Sequence, residues 1–161
     1  MNGKLDEVRP GLVLAGITLC FGIALAIAFG VAEDAIKTLV RDGVAANPDL
    51  HDEKSPDKIW RWWQRAHFHA TGIGAFTLAL IAITALSDLS AKMKRAASLF
   101  FGVGSFYPLA WFFMALLGPS MGRSAAHHSL PVEAVVYLTI PCLLAGLALL
   151  FSNVIFGWFS E

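Results

Sequence analysis

The chain has 161 residues, of which 57% are hydrophobic and only 15% charged, and its twelve Lys and Arg residues balance twelve Asp and Glu residues. A soluble domain of this size carries about 25% charged residues, so the composition excludes an ordinary soluble domain and indicates a membrane protein. Because there is neither net charge nor a basic cluster, nucleic acid is excluded as a partner.

Four long apolar segments follow one another along the chain. A helix of about 20 apolar residues crosses the hydrocarbon core of a bilayer, and its backbone amides must be satisfied within the segment. We therefore predict an all-α membrane protein, a four-transmembrane-helix bundle that forms a single membrane domain over residues 1–161. The predicted helices cover about residues 11–33, 59–87, 96–118 and 131–159.

The connections between these spans determine which ends share a side of the membrane. A polar loop, residues 35–58, joins the first two spans, a short turn over residues 88–95 joins the next two, and residues 118–131 lead into the last. Four crossings place both termini and the short turn on one face and the two long connections on the other. Acidic residues dilute the Lys and Arg residues of the second face, which favours cytoplasmic termini. We expect an integral protein of the bacterial inner membrane.

All the histidines fall on the face of the two long connections: His51, His67, His69, His127 and His128. Histidine is the commonest metal ligand, and an ionisable residue inside a span usually has a function. His67 and His69 lie within the second span, where residues two apart are separated by about 200° and cannot share a metal ion. Because the sequence lacks the i, i+4 histidines or thiolates of a classical zinc site, we do not expect catalytic zinc.

One helix histidine beside aromatic and basic residues suits the axial ligation of haem. Arg61, Trp63 and Arg65 lie immediately before His67, at the depth where haem propionates would lie. An aromatic belt with snorkelling arginines is the other interpretation of this cluster.

The run Trp63-Gln64-Arg65-Ala66-His67, followed seven residues later by Gly74, resembles the W-x-R-A-H and N-G segment of styrene oxide isomerases. The same helix is similar to that of the hydroxylaminobenzene mutases. The resemblance implies a trimer with haem b between neighbouring subunits, His67 as the axial iron ligand, and Arg65 and Trp63 beside the propionates. It further implies that ferric iron acts as a Lewis acid on the oxygen of a small hydrophobic epoxide.

Two positions depart from the isomerase pattern. Ile73 stands where the motif has asparagine, and Phe112 stands where the third helix of the isomerases carries tyrosine. Neither side chain can donate a hydrogen bond, so the groups that orient the reacting oxygen in the family are missing. Tyr107 is a nearby hydroxyl, more than one helical turn from Phe112. Ile73, Tyr107 and Phe112 are therefore the candidate pocket residues.

Three functions stay open from the sequence. The first is a haem-dependent isomerase or mutase that acts on a small hydrophobic epoxide or arylhydroxylamine. The second is a redox haem protein in which His127 or His128 supplies a second iron ligand. The third is an accessory subunit of a larger membrane complex, with incidental histidines. The expected partners are the lipid bilayer, a small hydrophobic substrate and further copies of the chain.

Overall fold

A computed structural model describes residues 2–160, with side chains from Leu5 onward. Its helices are α1 (Asn2–Ala45), α2 (Ser55–Leu86), α3 (Ala91–Gly104), α4 (Pro108–Met121), α5 (Arg123–His127) and α6 (Leu130–Phe156), with one 3-10 turn at Pro48–Leu50. Four segments are long and apolar enough to cross a membrane: Leu5–Ala45, Ser55–Leu86, Ala91–Met121 and Arg123–Phe156. The prediction of an all-α bundle of four transmembrane helices is confirmed.

Both termini lie at the same end of the bundle as the short turn between α2 and α3. The Glu7 carboxylate near the start of α1 is 3.7 Å from the Lys94 ammonium of α3. The backbone N–H of Ser90, in the turn, donates to the Phe159 carbonyl oxygen at 3.0 Å. The predicted arrangement of chain ends is therefore confirmed. Below, this end is called the terminal end and the opposite one the loop end.

Helix α1 is much longer than predicted. It bends at Ala32, whose φ of −140° and ψ of 23° are not helical, and then continues to Ala45. In this outer part Ile36, Val40 and Val44 recur every fourth residue and pack against α2, with Val40 only 1% exposed. The predicted polar loop over residues 35–58 is therefore wrong at both ends, and the connection covers residues 46–54. An apolar stripe with helical spacing favours a helix even among charged residues.

The third span is broken where a single helix was predicted over residues 96–118. α3 ends at Gly104 and α4 begins at Pro108, because proline has no N–H to continue the helical hydrogen bonds. The Ser105 hydroxyl, within the break, lies 2.8 Å from the Thr18 hydroxyl of α1 in a buried hydrogen bond. The predicted connection over residues 118–131 is also mostly helical, since α4 continues to Met121 and α5 follows.

The helices are not arranged symmetrically. α1 packs mainly on α2 and α3, α4 packs on α2, and α6 packs on α3 and α4. The third span is therefore central, and α6 is peripheral. This order creates two separate surfaces: the seam between α1 and α2, and the cleft between α4 and α6, with α2 between them.

Close contact between α1 and α3 depends on glycine. A Cβ atom at Gly11 would overlap the carbonyl oxygen of Ser98, and Gly102 faces Gly11 across the same contact. We expect Gly11→Val to destabilise the fold by about 1–3 kcal/mol through overpacking, measured as a lower thermal midpoint in detergent. Gly16→Val is the matched control in the same helix, because no atom lies within 4 Å of a Cβ atom at Gly16. Equal midpoints for the two variants would contradict this packing.

Candidate functional site

His67 lies half-buried on the face of α2 that packs against α1. Its Nδ1 atom is 2.9 Å from the carbonyl oxygen of Gly22. A carbonyl oxygen only accepts hydrogen bonds, so Nδ1 carries the proton and Nε2 keeps its lone pair. Histidines that bind metal usually donate their other ring N–H to a carbonyl or carboxylate in this way. The rings of Phe29 and Phe68 lie beside the imidazole, with centroids 5.8 Å and 5.1 Å away.

Two glycines bring the carbonyl of Gly22 within reach of His67. A Cβ atom at Gly22 would lie 2.7 Å from the backbone nitrogen of Thr71, and one at Gly74 would lie 2.9 Å from that of Leu19. Larger residues at either position would separate α1 from α2. The orientation of the imidazole therefore depends on close packing of α1 against the part of α2 that follows His67.

His69 faces a different helix. Its Nδ1 donates to the carbonyl oxygen of Arg65 at 2.9 Å, and its ring packs against Tyr107 and Trp111, with centroids 6.1 Å and 5.6 Å away. Because His67 contacts α1 and His69 contacts the residues at the start of α4, the prediction that the two histidines point to different faces is confirmed.

The structure does not bring the predicted propionate partners together with His67. The Arg65 guanidinium lies 4.8 Å from the ring centre of Trp111, on the α4 side of α2, and Arg61 is exposed. Trp63 is buried in the core, where its ring centroid is 5.4 Å from that of Phe112. Of these three residues, none has a contact with the His67 ring among the ring contacts that the structure describes.

A different aromatic and basic row extends from His67 along the seam. Phe29 lies between His67 and Trp60, with a centroid distance of 5.3 Å to Trp60. The Lys37 ammonium of α1 sits 5.1 Å from the ring centre of Trp60. Lys37, Arg41 and Trp60 line a cleft of about 170 Å³ at the loop end of this row. From His67 toward the loop end, the seam thus contains an imidazole, then the rings of Phe29 and Trp60, and then two cations.

Lys37 and Arg41 were not among the site residues predicted from the sequence, because the pattern of charges assigns their segment to a polar loop. The signal was present in the sequence: Ile36, Val40 and Val44 have helical spacing, and the two cations each follow one of these apolar residues. A helix through this segment places Lys37 and Arg41 one turn apart on the same side.

The three candidate pocket residues do not form one pocket. Phe112 packs in the core against Phe21, at a centroid distance of 5.2 Å, and against Trp63. Tyr107 packs against His69. The carbonyl oxygen of Ile73 accepts a hydrogen bond from Thr77 within α2.

The remaining histidines lie away from the seam. His51 donates from Nε2 to the carbonyl oxygen of Pro119 at 3.0 Å, which caps the end of α4. His127 and His128 line a cleft of about 270 Å³ between α4 and α6, and Nδ1 of His128 is 3.4 Å from the Glu133 carboxylate. Within residues 2–160, no three His, Cys, Asp or Glu side chains are grouped closely enough to hold a metal ion.

No family model matches the chain, and comparisons with curated proteins and with solved structures found no match. The resemblance to the styrene oxide isomerases stays a prediction that rests on the segment from Trp63 to Gly74. The fold itself defines the class: an integral membrane protein of four transmembrane helices.

Proposed function

We propose that the protein binds haem b with His67 as its single axial ligand and acts on small hydrophobic molecules within the membrane. One observation carries the proposal: the hydrogen bond from Nδ1 of His67 to Gly22 leaves Nε2 as a free ligand atom in an apolar seam. A neutral imidazole held in this tautomer suits axial ligation of haem iron.

The surface beside His67 suits a broad apolar ring. Phe68 is 63% exposed, and on α1 the small residues Ala26 and Gly30 are exposed one turn apart. A Cβ atom at Gly30 would meet no protein atom within 4 Å. These features give α1 two small exposed residues close in sequence to Phe29, whose ring packs on His67.

The loop end of the seam suits the charged edge of haem. Trp60 lies two helical turns from His67 along α2, a rise of about 10 Å. Lys37 and Arg41 provide cations there, and cations of this kind form charge-assisted hydrogen bonds with carboxylates. We therefore assign the propionates to Lys37 and Arg41 in preference to Arg61 and Arg65.

Bound haem would supply a ferric iron that acts as a Lewis acid on a substrate oxygen. The chain's own contribution would be to bind the iron through His67, to fix the imidazole tautomer through Gly22, and to pack the rings of Phe29 and Phe68 beside the imidazole. His127 and His128 lie in the cleft between α4 and α6, so His67 would be the histidine that this chain supplies to the iron. The resemblance favours a small hydrophobic epoxide or arylhydroxylamine as that substrate.

We further propose that the protein lies in the bacterial inner membrane with cytoplasmic termini and forms a homo-oligomer, a trimer by resemblance. The open surface beside His67 supports association, because a second copy seated there would cover a cofactor bound on the outside of the bundle. Exposed small residues such as Ala26 and Gly30 allow such close approach of helices.

Pigment analysis of the protein, purified in detergent from haem-replete cells, tests the proposal. We expect one haem per chain and a high-spin or water-ligated ferric spectrum that shifts on addition of an epoxide or an arylhydroxylamine. A colourless preparation would contradict haem binding. A low-spin spectrum with two imidazole ligands would contradict a single axial histidine and would favour the redox alternative.

A further inference from the structure

The cleft between α4 and α6 contains polar side chains without partners in an apolar setting. Its walls include Trp111, Met114, Val132 and Val136, and its volume is about 270 Å³. Near its deep end lies Tyr107, which directly precedes α4, and at its loop end lie His127, His128 and Glu133. The cleft is thus apolar along its length and polar at both ends.

The polar groups of this cleft are largely unused by the fold. Among the described residues, the indole N–H of Trp111 is buried without an acceptor, and the half-buried Tyr107 hydroxyl has no hydrogen-bond partner. The Tyr137 hydroxyl and the His127 ring, which are exposed at the edge of the cleft, have no partner within the described chain. Hydroxyl and indole groups in a low-dielectric setting usually have partners, because an unmade hydrogen bond there costs free energy. Each of these groups can donate one hydrogen bond to a ligand.

The cleft opens toward lipid. α6 is the peripheral helix, and Tyr137, which lines the cleft from α6, is 75% exposed. A ligand can therefore enter from the bilayer without passing through water. The volume lies near the lower end of the range for small-molecule sites, so the cleft suits one planar ring system.

We infer that this cleft is a second ligand site, distinct from the His67 seam, that binds a lipid-soluble para-quinone head group. Such a molecule combines a planar apolar ring, which packs on Trp111, with acceptor oxygens at opposite ends. One oxygen accepts from the Tyr107 hydroxyl and the other from His127 at the loop end. A lipid acyl chain has no acceptor for the deep hydroxyl, and a free anion has no ring.

Two more side chains hold Trp111 in place as the wall of the site. The Arg65 guanidinium lies 4.8 Å from its ring centre, and the His69 ring lies against both Trp111 and Tyr107. A cation packed on an aromatic ring stabilises that ring's position. The quinone site thus gives a role to Arg65 and His69, which contact Trp111 on the α4 side of α2.

Binding of decylubiquinone to the full chain in lipid nanodiscs tests the inference, with empty nanodiscs subtracted as the partition control. We expect saturable binding of one quinone per chain. Tyr107→Phe and His127→Leu each remove one donor and are expected to weaken binding about five- to tenfold. A thermal midpoint for each variant confirms that it is folded.

His67→Leu is the matched control because His67 lies on the seam, across α2 from the cleft. It is expected to leave quinone affinity unchanged even where it removes haem, so failure of the haem proposal and failure of this inference are distinguishable. Non-saturable partitioning alone would overturn the inference. So would equal weakening by His67→Leu, or a tightly held phospholipid that quinone does not displace from the cleft.

Discussion

Replacement of His67 by alanine is expected to abolish haem binding, whereas replacement of His69 by alanine is expected to leave the haem content unchanged. Nδ1 of His67 donates to the Gly22 carbonyl oxygen, so Nε2 keeps its lone pair and is the atom that we propose as the iron ligand. His69 packs among the residues at the start of α4 and donates to its own helix. Haem per chain, measured as the pyridine haemochrome of detergent-purified protein, distinguishes the two variants.

Two histidines two residues apart make this a closely matched pair. Both substitutions remove one imidazole from the same apolar helix, so general effects on helix stability are similar. Added imidazole provides a further control, because it can occupy the space left in His67→Ala and is expected to restore a Soret band when the fold is intact. Equal haem content in both variants would contradict the assignment of His67.

The membrane spans were predictable because charge is so unevenly distributed along the chain. Long uncharged segments gave the four helices and, with them, the shared location of the termini. The outer part of α1 was not recognised, because charged residues such as Glu33 and Asp34 suggested a loop. The segment is helical because Ile36 and Val40 pack against α2, in spite of the charged residues around them. This packing depends on a neighbouring helix and is not visible in the local sequence.

The candidate site was only partly predictable for a related reason. Helical spacing correctly separated His69 from His67, but the same separation of about 200° also applies to Arg65. Residues that are adjacent in a sequence motif therefore need not be adjacent in a site. Gly22 and Lys37 belong to α1. A motif within α2 does not indicate which residues of α1 pack against it.

The packing of α1 against α2 places Lys37 and Arg41 at the loop end of the seam, and the second prediction concerns these two cations. The double variant Lys37→Ala, Arg41→Ala is expected to bind haem about tenfold more weakly than the wild type, because it removes the cations at the loop end of the seam. Arg61→Ala, Arg65→Ala removes two charges from residues that do not contact His67 and is expected to keep wild-type affinity. Titration of the haem-free protein with haemin, followed at the Soret band, measures both.

Removal of the Glu33 charge is expected to change haem affinity in the opposite direction. Its carboxylate is 2.5 Å from the Lys37 ammonium and therefore competes with a propionate for the same cation. Glu33→Gln frees Lys37 without changing the size of the side chain, so we expect tighter haem binding.

The two double variants together test where the propionates lie. If the variant lacking Arg61 and Arg65 bound haem more weakly while the variant lacking Lys37 and Arg41 did not, the propionates would belong on the α4 side of α2.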